Sequence, residues 1–397
     1  MRGLVLEGGG AKGAYHIGAY KALKEMGVEI DGVAGTSVGA LNGAMIAQED
    51  IDRAYELWNN MTYSRVINAN DEDIEKIKKG KLKIEDIKDI SEKIKGVISE
   101  KGVDITPLKE LLYDVINEEK VRRSGKDFGI VTVSLTDLKP LEIYIEDIPQ
   151  GKLVEYLMAS AYLPVFKREK IDGKDFIDGG IYDNVPMGLL INKGYEDLIV
   201  VRTHGLGRNR RINKKNLNIR YISPRESLGR TLDFDTKTCR FNLKLGYFDA
   251  FKAIKQLKGN KYYIIPKKDE NYFVDVLLNL NEEKILEIGK ILKIEEVPYR
   301  RALFEFIIPK LNNILGLDKK NDYEDILIMF LEYLAEEYEM ERFKIYGYEE
   351  FLENVIERHK YNSQDNALFS KLVMRMDILG KFSKSEIIKE IANIVFF

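Results

Sequence analysis

The N-terminal region of the chain repeats one arrangement twice: an apolar strand, a glycine-containing turn and a helix. GLVLE (3–7) is followed by the loop Gly8–Gly13 and by AYHIGAYKALKEMG, whose apolar residues recur at helical spacing until Gly27. DGVAG (31–35) is followed in the same order by a turn and by the helical stretch ALNGAMIAQ. A strand–helix–strand unit places its strands in parallel, so the arrangement predicts an α/β layered fold.

Three further strand-like runs extend this pattern along the chain. FGIVTVSL (128–135), LEIYI (141–145) and DLIVVRT (197–203) are rich in branched and aliphatic residues and are bounded by Gly, Asp or Pro. We therefore expect three layers around a mostly parallel central sheet.

The apolar pattern also indicates two domains. Residues 1–270 contain the strands, together with a charged and periodic stretch at about 72–120 that predicts a helical insertion. From residue 281 onwards apolar residues recur only at three- and four-residue spacing. We expect residues 281–397 to form a C-terminal all-helical domain.

The composition excludes several classes of protein and of functional site. Lys plus Arg total 62 and Asp plus Glu total 65, and the resulting net charge of −3 excludes a polycation that coats nucleic acid. The chain has one Cys and three His, which excludes disulfide frameworks and cysteine-rich zinc sites. No signal-peptide core or membrane-spanning apolar run is evident, so we expect a cytoplasmic protein, with peripheral membrane contact left open.

The loop Gly8–Gly13 reads GGGAKG and formally matches GxGxxG. Glycines let backbone N–H groups approach a ligand, and the helix that follows favours negative charge. The loop therefore suits a phosphate or the oxyanion of an acyl-transfer intermediate, and a tight turn is the plainer interpretation. A dinucleotide site also requires an acidic residue after the second strand, whereas Asp31 precedes that strand.

GTSVG (35–39) lies between the second strand and its helix and matches the GxSxG nucleophile elbow. The elbow is a sharp strand-to-helix turn that needs small residues two positions before and after the serine, which Gly35 and Gly39 supply. Ser37 then lies at a helix N-terminus, where the dipole favours an alkoxide-like oxygen. The plainer interpretation is a serine that caps the helix.

A third motif, Asp178-Gly179-Gly180, lies within FIDGGIYDNVPM. The two glycines permit a tight turn that would direct the Asp178 carboxylate toward a site. Taken alone, the motif is better explained by an ordinary Asp-Gly turn between strands.

These three motifs, in this order, resemble the patatin-like phospholipase family. ASAYLPVF (159–166) is similar to the family's segment upstream of the catalytic Asp, and IDGGIYDNVPM (177–187) is similar to the block that carries it. The resemblance covers roughly residues 1–205, and more loosely GYFDAFKA (246–253).

The resemblance implies a patatin-like fold and a serine–aspartate dyad in place of a Ser-His-Asp triad. By position, Ser37 would be the nucleophile and Asp178 its base, and Lys12 an auxiliary residue within the loop. The glycines implied in the site are those of the oxyanion loop (Gly8, Gly9, Gly10, Gly13), of GxSxG (Gly35, Gly39) and of DGG (Gly179, Gly180).

The implied activity is a phospholipase A-type hydrolysis of lipid acyl esters through an acyl-serine, with no metal, no cofactor and no nucleic-acid partner. Two other functions remain open: an acyltransferase that uses the same acyl-serine, and a non-catalytic nucleotide or phosphate-binding module built on the glycine loop. A Ser37–Asp178–His204 triad is a competing mechanism, because His204 follows Asp178 in the order of α/β-hydrolases.

One local charge cluster departs from the near-neutral average. Between Gly205 and Ile222 there are six basic residues and no acidic ones. They are Arg208, Arg210, Arg211, Lys214, Lys215 and Arg220. Such a stretch would be attracted to an anionic membrane surface, and the alternative is a solvated loop.

Overall fold

The structure, a computed structural model, describes residues 1–71, 98–99, 102–294, 297–318, 321–363 and 383–397. The chain divides into two units, Met1–Ile254 and Lys255–Phe397. Most of the insertion predicted at about 72–120 lies outside the described residues, which resume with a short antiparallel strand pair and two helices.

A seven-stranded sheet forms the centre of the first unit. Its strands are β1 Arg2–Leu6, β2 Gly32–Thr36, β5 Asp127–Ser134, β6 Lys139–Tyr144, β7 Phe176–Asp178, β8 Asp197–Val201 and β9 Asn218–Ile222. Strands β3 Ile98–Ser99 and β4 Gly102–Val103 form a separate antiparallel pair. The sheet order is β6-β5-β2-β1-β8-β9, and β7 pairs with β5. Strands β5, β2, β1, β8 and β9 are mutually parallel, and only β6 and β7 run antiparallel to β5. The predicted mostly parallel sheet is confirmed.

Helices cover both faces of this sheet. They are α1 Ala14–Glu25, α2 Val38–Ala47, α3 Ile51–Asn59, α4 Thr106–Val115, α5 Glu118–Arg123, α6 Leu153–Ala161, α7 Met187–Asn192 and α8 Thr236–Lys255. On one face, Leu189 and Leu190 of α7 pack into a buried cluster with Val5 and Val131 of the strands. On the other, α2 approaches the sheet closely at Gly43. The three predicted layers are therefore present.

Two strands share one edge of β5, and this arrangement brings distant segments together. Along that edge β2 pairs with β5 up to Thr36, which lies opposite Val131. Beginning one residue further along β5, the same edge is taken by β7, with Asp178 opposite Thr132. Because β6 occupies the other edge throughout, β7 lies directly beyond the carboxyl end of β2. The residue that follows β2 and the last residue of β7 therefore become neighbours.

The second unit is predominantly helical, and it also contains a short parallel strand pair where an all-helical domain was expected. Its elements are β10 Tyr263–Ile265, α9 Glu270–Leu278, α10 Glu282–Ile291, α11 Tyr299–Arg301, a π-helical segment Ala302–Ile307, α12 Ile308–Leu315, α13 Tyr323–Glu337, β11 Ile345–Gly347, α14 Tyr348–Ser363 and α15 Lys384–Phe396. It has its own apolar core, in which Leu327, Phe330 and Phe351 are fully buried. Among all described residues, no helix combines the length and apolar character needed to cross a lipid bilayer.

A glycine contact joins α1 to α8 within the first unit. A Cβ atom on Gly18 would collide with the backbone carbonyl of Leu243, and one on Gly246 would collide with that of Tyr15. The two helices can approach so closely only because both positions lack a side chain.

We expect Gly18→Ala to lower the free energy of unfolding by about 1–3 kcal/mol, because the added methyl group forces the two helices apart. Gly188→Ala is the matched control, since a Cβ there meets nothing closer than 4.0 Å and alanine favours a helix. Chemical denaturation of both variants measures the effect. Equal stability of Gly18→Ala and the wild type would contradict the close contact.

Candidate active site

Ser37 occupies a strained backbone turn between β2 and α2. Its φ of 55° and ψ of −129° lie in a region that residues with a side chain seldom adopt. Gly35 and Gly39 make the turn sterically possible: a Cβ on Gly35 would collide with the backbone of Gly39, and one on Gly39 with the carbonyl of Leu6. The turn has the geometry of a nucleophile elbow, with the serine at its apex.

Ser160 of α6 holds the elbow against the sheet. Its hydroxyl accepts a hydrogen bond from the Ser37 backbone N–H at 3.0 Å and donates one to the Val131 carbonyl at 2.7 Å. Ser160 is fully buried, so both hydrogen bonds are shielded from water. The backbone of Ser37 is thereby fixed, and its side chain is left available for chemistry.

Asp178 is the last residue of β7. It lies beside the turn at Ser37 because β2 and β7 pair with consecutive parts of the same edge of β5. Its carboxylate is 3% exposed. Oδ1 accepts a hydrogen bond from the Gly180 backbone N–H at 2.7 Å, which orients the group. Oδ2 has no hydrogen-bond partner among the described residues, although the Ser37 side chain lies close enough to influence the carboxylate. Ser37 and Asp178 are therefore adjacent, with no short hydrogen bond between their side chains.

Burial changes the acid–base behaviour of Asp178. Removal from water raises its pKa to about 6, against the opposing effects of the Ser37 hydroxyl and the Gly180 N–H. A carboxylate with a pKa near 6 is a much better base than an ordinary aspartate and is still ionised at neutral pH. Asp178 can therefore accept a proton from Ser37.

The four glycines of the loop have different roles in the structure. The N–H of Gly8 is taken by the carbonyl of Asn184 at 3.1 Å. Gly13 is enclosed by the side chains of Val38, Asn42 and Trp58, where a Cβ would not fit. In the described part of the chain, the N–H groups of Gly9 and Gly10 have no hydrogen-bond acceptor. These two N–H groups are therefore available to bind a negatively charged oxygen atom.

Lys12 does not extend into solvent as a free charge. Its Nζ donates a hydrogen bond to the carbonyl of His204 at 3.0 Å, which ties the glycine loop to the segment after β8. This contact favours a supporting role for Lys12 in the loop conformation.

The histidines are not placed to act with Asp178. The His204 side chain is exposed, and the hydrogen bonds of this residue run through its backbone, to Glu7 and from Lys12. His16 is fully buried, and burial lowers its pKa to about 3, so it stays neutral. His359 belongs to the second unit, where it bonds Tyr338 and stacks on Phe397. The described residues also contain no cluster of three His, Cys, Asp or Glu side chains suited to a metal.

An apolar pocket opens beside Ser37. Its volume is about 750 Å³ when the space is counted out to the open mouth. Gly10 and Ser37 lie in its wall, and α2, α3 and α4 contribute Leu, Met and Trp side chains. The one polar side chain besides Ser37 is Asn42, whose amide is already bonded to Gly13 and Trp58. The pocket therefore suits an apolar group that lies next to Ser37.

Several residues that shape the site were not singled out from the sequence. Ser160 and Asn184 lie within the blocks 159–166 and 177–187, but nothing in those blocks shows which side chain has which contact. Thr203 and Glu7 end the predicted strands 197–203 and 3–7. Polar residues at the carboxyl ends of parallel strands were the signal that could have identified these two.

Comparison with known proteins bears on the first unit. Residues 4–191 match the model of the family described as patatin-like phospholipase. The patatin-like phospholipase domain-containing protein 6 of Mus musculus is 27% identical over 207 residues, which cover 50% of this chain and 13% of that protein. An uncharacterized NTE family protein of Mycobacterium tuberculosis is 28% identical over 203 residues, which cover 51% and 49%. The chain thus spans half or less of the length of these relatives.

Two solved structures are also similar to the chain. VipD from Legionella pneumophila has a TM-score of 0.38 at 15% identity, with 100% of this chain and 91% of that chain covered. The type III effector ExoU has a TM-score of 0.31 at 14% identity, with 83% and 71% covered. At these values the likeness says nothing about function.

The raised pKa of Asp178 predicts a pH-dependent gain in stability for Asp178→Asn. The folded state binds the proton more tightly than the unfolded chain, so wild-type stability is fullest below about pH 4 and declines as pH rises through 6. Asparagine keeps the bond from Gly180 and carries no charge. We expect it to stabilise the protein by up to about 3 kcal/mol at pH 7–8 and by little at pH 4.

Chemical denaturation of the wild type and of Asp178→Asn across this pH range makes the measurement. Asp175→Asn, at an exposed neighbouring position, is the control for loss of one charge. Equal stability of Asp178→Asn and the wild type at pH 8 would show that the Asp178 carboxylate is not strained by burial.

Proposed function

The chain belongs to the patatin-like phospholipases through residues 4–191, and on this premise we propose that it hydrolyses acyl esters of phospholipids through a Ser37–Asp178 dyad. The observation that carries the proposal is the position of Ser37, at a strained turn between the buried Asp178 carboxylate and an apolar pocket. A nucleophile, a base and a space for an acyl chain are thereby adjacent.

The first half of the reaction forms an acyl-serine. Ser37 Oγ attacks the ester carbonyl while its proton passes to Asp178, and the carbonyl oxygen becomes an oxyanion. The free N–H groups of Gly9 and Gly10 stabilise that oxyanion, and one such donor is worth roughly 10²–10³ in rate. The intermediate then collapses: the bond to the alcohol breaks, and the leaving oxygen takes the proton from Asp178.

The second half releases the fatty acid. A water molecule attacks the acyl carbonyl and gives a proton to Asp178, and the same two N–H groups stabilise the second oxyanion. When this intermediate collapses, Ser37 Oγ leaves and recovers the proton. An alcohol that replaces water at this step would turn the reaction into acyl transfer, so the products distinguish a hydrolase from an acyltransferase.

The pocket favours a long acyl group over a short one. Its wall includes Leu41, Met45, Leu108 and Leu112, which offer apolar surface and no hydrogen bonds. Each buried methylene contributes about 0.8 kcal/mol, so a fatty acyl chain gains several kcal/mol that an acetyl group does not. The substrate class is therefore a lipid ester.

The dyad is tested by fluorophosphonate labelling and ester hydrolysis on the wild type, Ser37→Ala and Asp178→Asn. We expect Ser37→Ala to abolish both signals and Asp178→Asn to reduce hydrolysis by 10²-fold or more, because the base is lost. Wild-type kcat/KM should rise with pH around a midpoint of about 6, as Asp178 ionises.

His204→Ala is the matched control, and we expect nearly full activity because its side chain is exposed. A loss of activity in that variant comparable to that of Asp178→Asn would favour the triad. Failure of the probe to label Ser37 would favour a non-catalytic phosphate-binding module instead.

The basic segment of residues 208–220 adjoins the site. The Arg208 backbone N–H donates to the Gly180 carbonyl at 2.8 Å, which places this segment directly against the turn after Asp178. Leu206 and Ile181, on either side of that contact, are 88% and 52% exposed. Arg211 and Lys215 are exposed, and neither has an ion pair within the described ranges. Exposed apolar side chains beside unpaired cations are suited to the surface of an anionic bilayer.

We therefore expect Arg211→Glu/Lys215→Glu to weaken binding to vesicles containing phosphatidylserine by about 10- to 100-fold, at roughly 1 kcal/mol for each basic residue. The matched control is Lys24→Glu/Lys120→Glu, two exposed lysines on helices that precede the amino ends of β2 and β5. Co-sedimentation, done in the Ser37→Ala background, measures binding without turnover. Equal binding of the two double variants would rule out this membrane surface.

A further inference from the structure

Two buried side chains hold one carbonyl of the glycine loop. The Gly8 carbonyl accepts hydrogen bonds from Thr203 Oγ1 at 2.8 Å and from Asn184 Nδ2 at 3.3 Å. Thr203 and Asn184 are each 1% exposed. Neither residue is an acid, a base or a nucleophile in the reaction described above. Their shared contact is with the loop that supplies the oxyanion donors.

The geometry of a peptide unit links this carbonyl to the Gly9 N–H. No peptide bond in the described part of the chain is cis, so the Gly8 carbonyl and the Gly9 N–H belong to one trans unit and point in opposite directions. When Thr203 and Asn184 hold the carbonyl on one side, the N–H is directed to the other side and cannot turn back toward them. The orientation of the donor is therefore set by side chains that do not touch it.

The peptide unit between Gly9 and Gly10 is oriented so that its N–H group lies on the same side as the Gly9 N–H group. The Gly9 carbonyl accepts a hydrogen bond from the Lys12 N–H at 3.3 Å, which restrains the unit that carries the Gly10 N–H. The ψ of 7° at Gly9 places the nitrogens of Gly9 and Gly10 on the same side of the Cα–C bond. Both N–H groups can thus approach a single oxygen atom, which is the requirement of an oxyanion hole.

Glu7 fixes the position of Thr203. The Glu7 carboxylate is buried and accepts hydrogen bonds from the backbone N–H groups of Thr203 at 2.6 Å and His204 at 3.0 Å. Arg202 completes the contact with two hydrogen bonds, from Nε at 2.9 Å and Nη2 at 3.1 Å. Because the Thr203 backbone is anchored at a strand end, its hydroxyl is held in place without help from the glycine loop.

We propose that Thr203 is a positioning residue of the oxyanion hole, which acts with Asn184 by holding the Gly8 carbonyl and so directing the Gly9 N–H at the reacting oxygen. The inference rests on the proposed function, because an oxyanion forms only if Ser37 attacks a carbonyl. The hydroxyl contributes by limiting rotation of the Gly8–Gly9 peptide unit. It has no contact with the acyl pocket that would affect substrate binding.

The test compares Thr203→Val, which keeps the shape and removes the hydroxyl, with Thr203→Ser, which keeps the hydroxyl. Both are assayed on a lipid ester, and activity is divided by the number of sites titrated with fluorophosphonate, so that only competent sites count. We expect Thr203→Val to lose about 10-fold in kcat with KM within 2-fold of the wild type, because Asn184 still holds the carbonyl. Thr203→Ser should stay within 3-fold of the wild type.

Two further readouts separate positioning from general damage. The pH midpoint near 6 should not move in Thr203→Val, because the surroundings of Asp178 are unchanged. Affinity for a trifluoromethyl ketone, which forms the tetrahedral oxyanion, should fall in parallel with kcat/KM. Thr203→Ala serves as a second hydroxyl deletion should the valine variant unfold.

Full kcat in Thr203→Val, equal losses in the valine and serine variants, or a loss expressed as a higher KM would each overturn the inference. If fluorophosphonate did not label Ser37 in the wild type, that result would instead contradict the proposed function itself. The two failures are therefore distinguishable.

Discussion

The site depends on how two strands divide one edge of β5. Strand β2 occupies that edge up to Val131, and β7 continues it from Thr132. Residues that are 141 positions apart, Ser37 and Asp178, meet because each lies at the junction of these strands. The junction interrupts the regular ladder of hydrogen bonds, and Ser160 bridges it by bonding both the Ser37 N–H and the Val131 carbonyl. Side chains alternate in direction along a strand, so a shift of one residue in β7 would turn Asp178 away from the serine.

The burial that raises the pKa of Asp178 is costly to the fold. A carboxylate removed from water loses hydration that one hydrogen bond from Gly180 replaces only in part. Ser37 adds a second cost through its backbone conformation. Both costs lie at the centre of the sheet, where β1, β2, β5 and β8 are almost wholly buried and many packed neighbours resist relaxation. The stable sheet therefore keeps two unfavourable groups in place.

The sequence was informative where a local pattern has only one structural solution. The glycine spacing around Ser37 predicted the elbow, and the apolar runs predicted five strands of the central sheet. Strand β7 was missed because it has only three residues, and β9 because it is an exposed edge strand. The strand-end positions of Thr203 and Glu7 could have marked them as candidates, but their roles depend on contacts between residues almost 200 positions apart. Which residues make such contacts is a property of the fold and is not determined by local spacing.

Part of the pocket wall comes from a different element of the fold than Ser37 and Asp178. Ser37 and Asp178 are positioned by the sheet, whereas Leu108, Leu111 and Leu112 come from α4, which precedes β5 and contains neither of the two residues. Under the proposed function, changes in α4 would alter which acyl chains fit and leave the chemistry intact. The proposed reaction and its substrate range would then be separable in evolution: substitutions in one helix would change the range, while the sheet would preserve the mechanism.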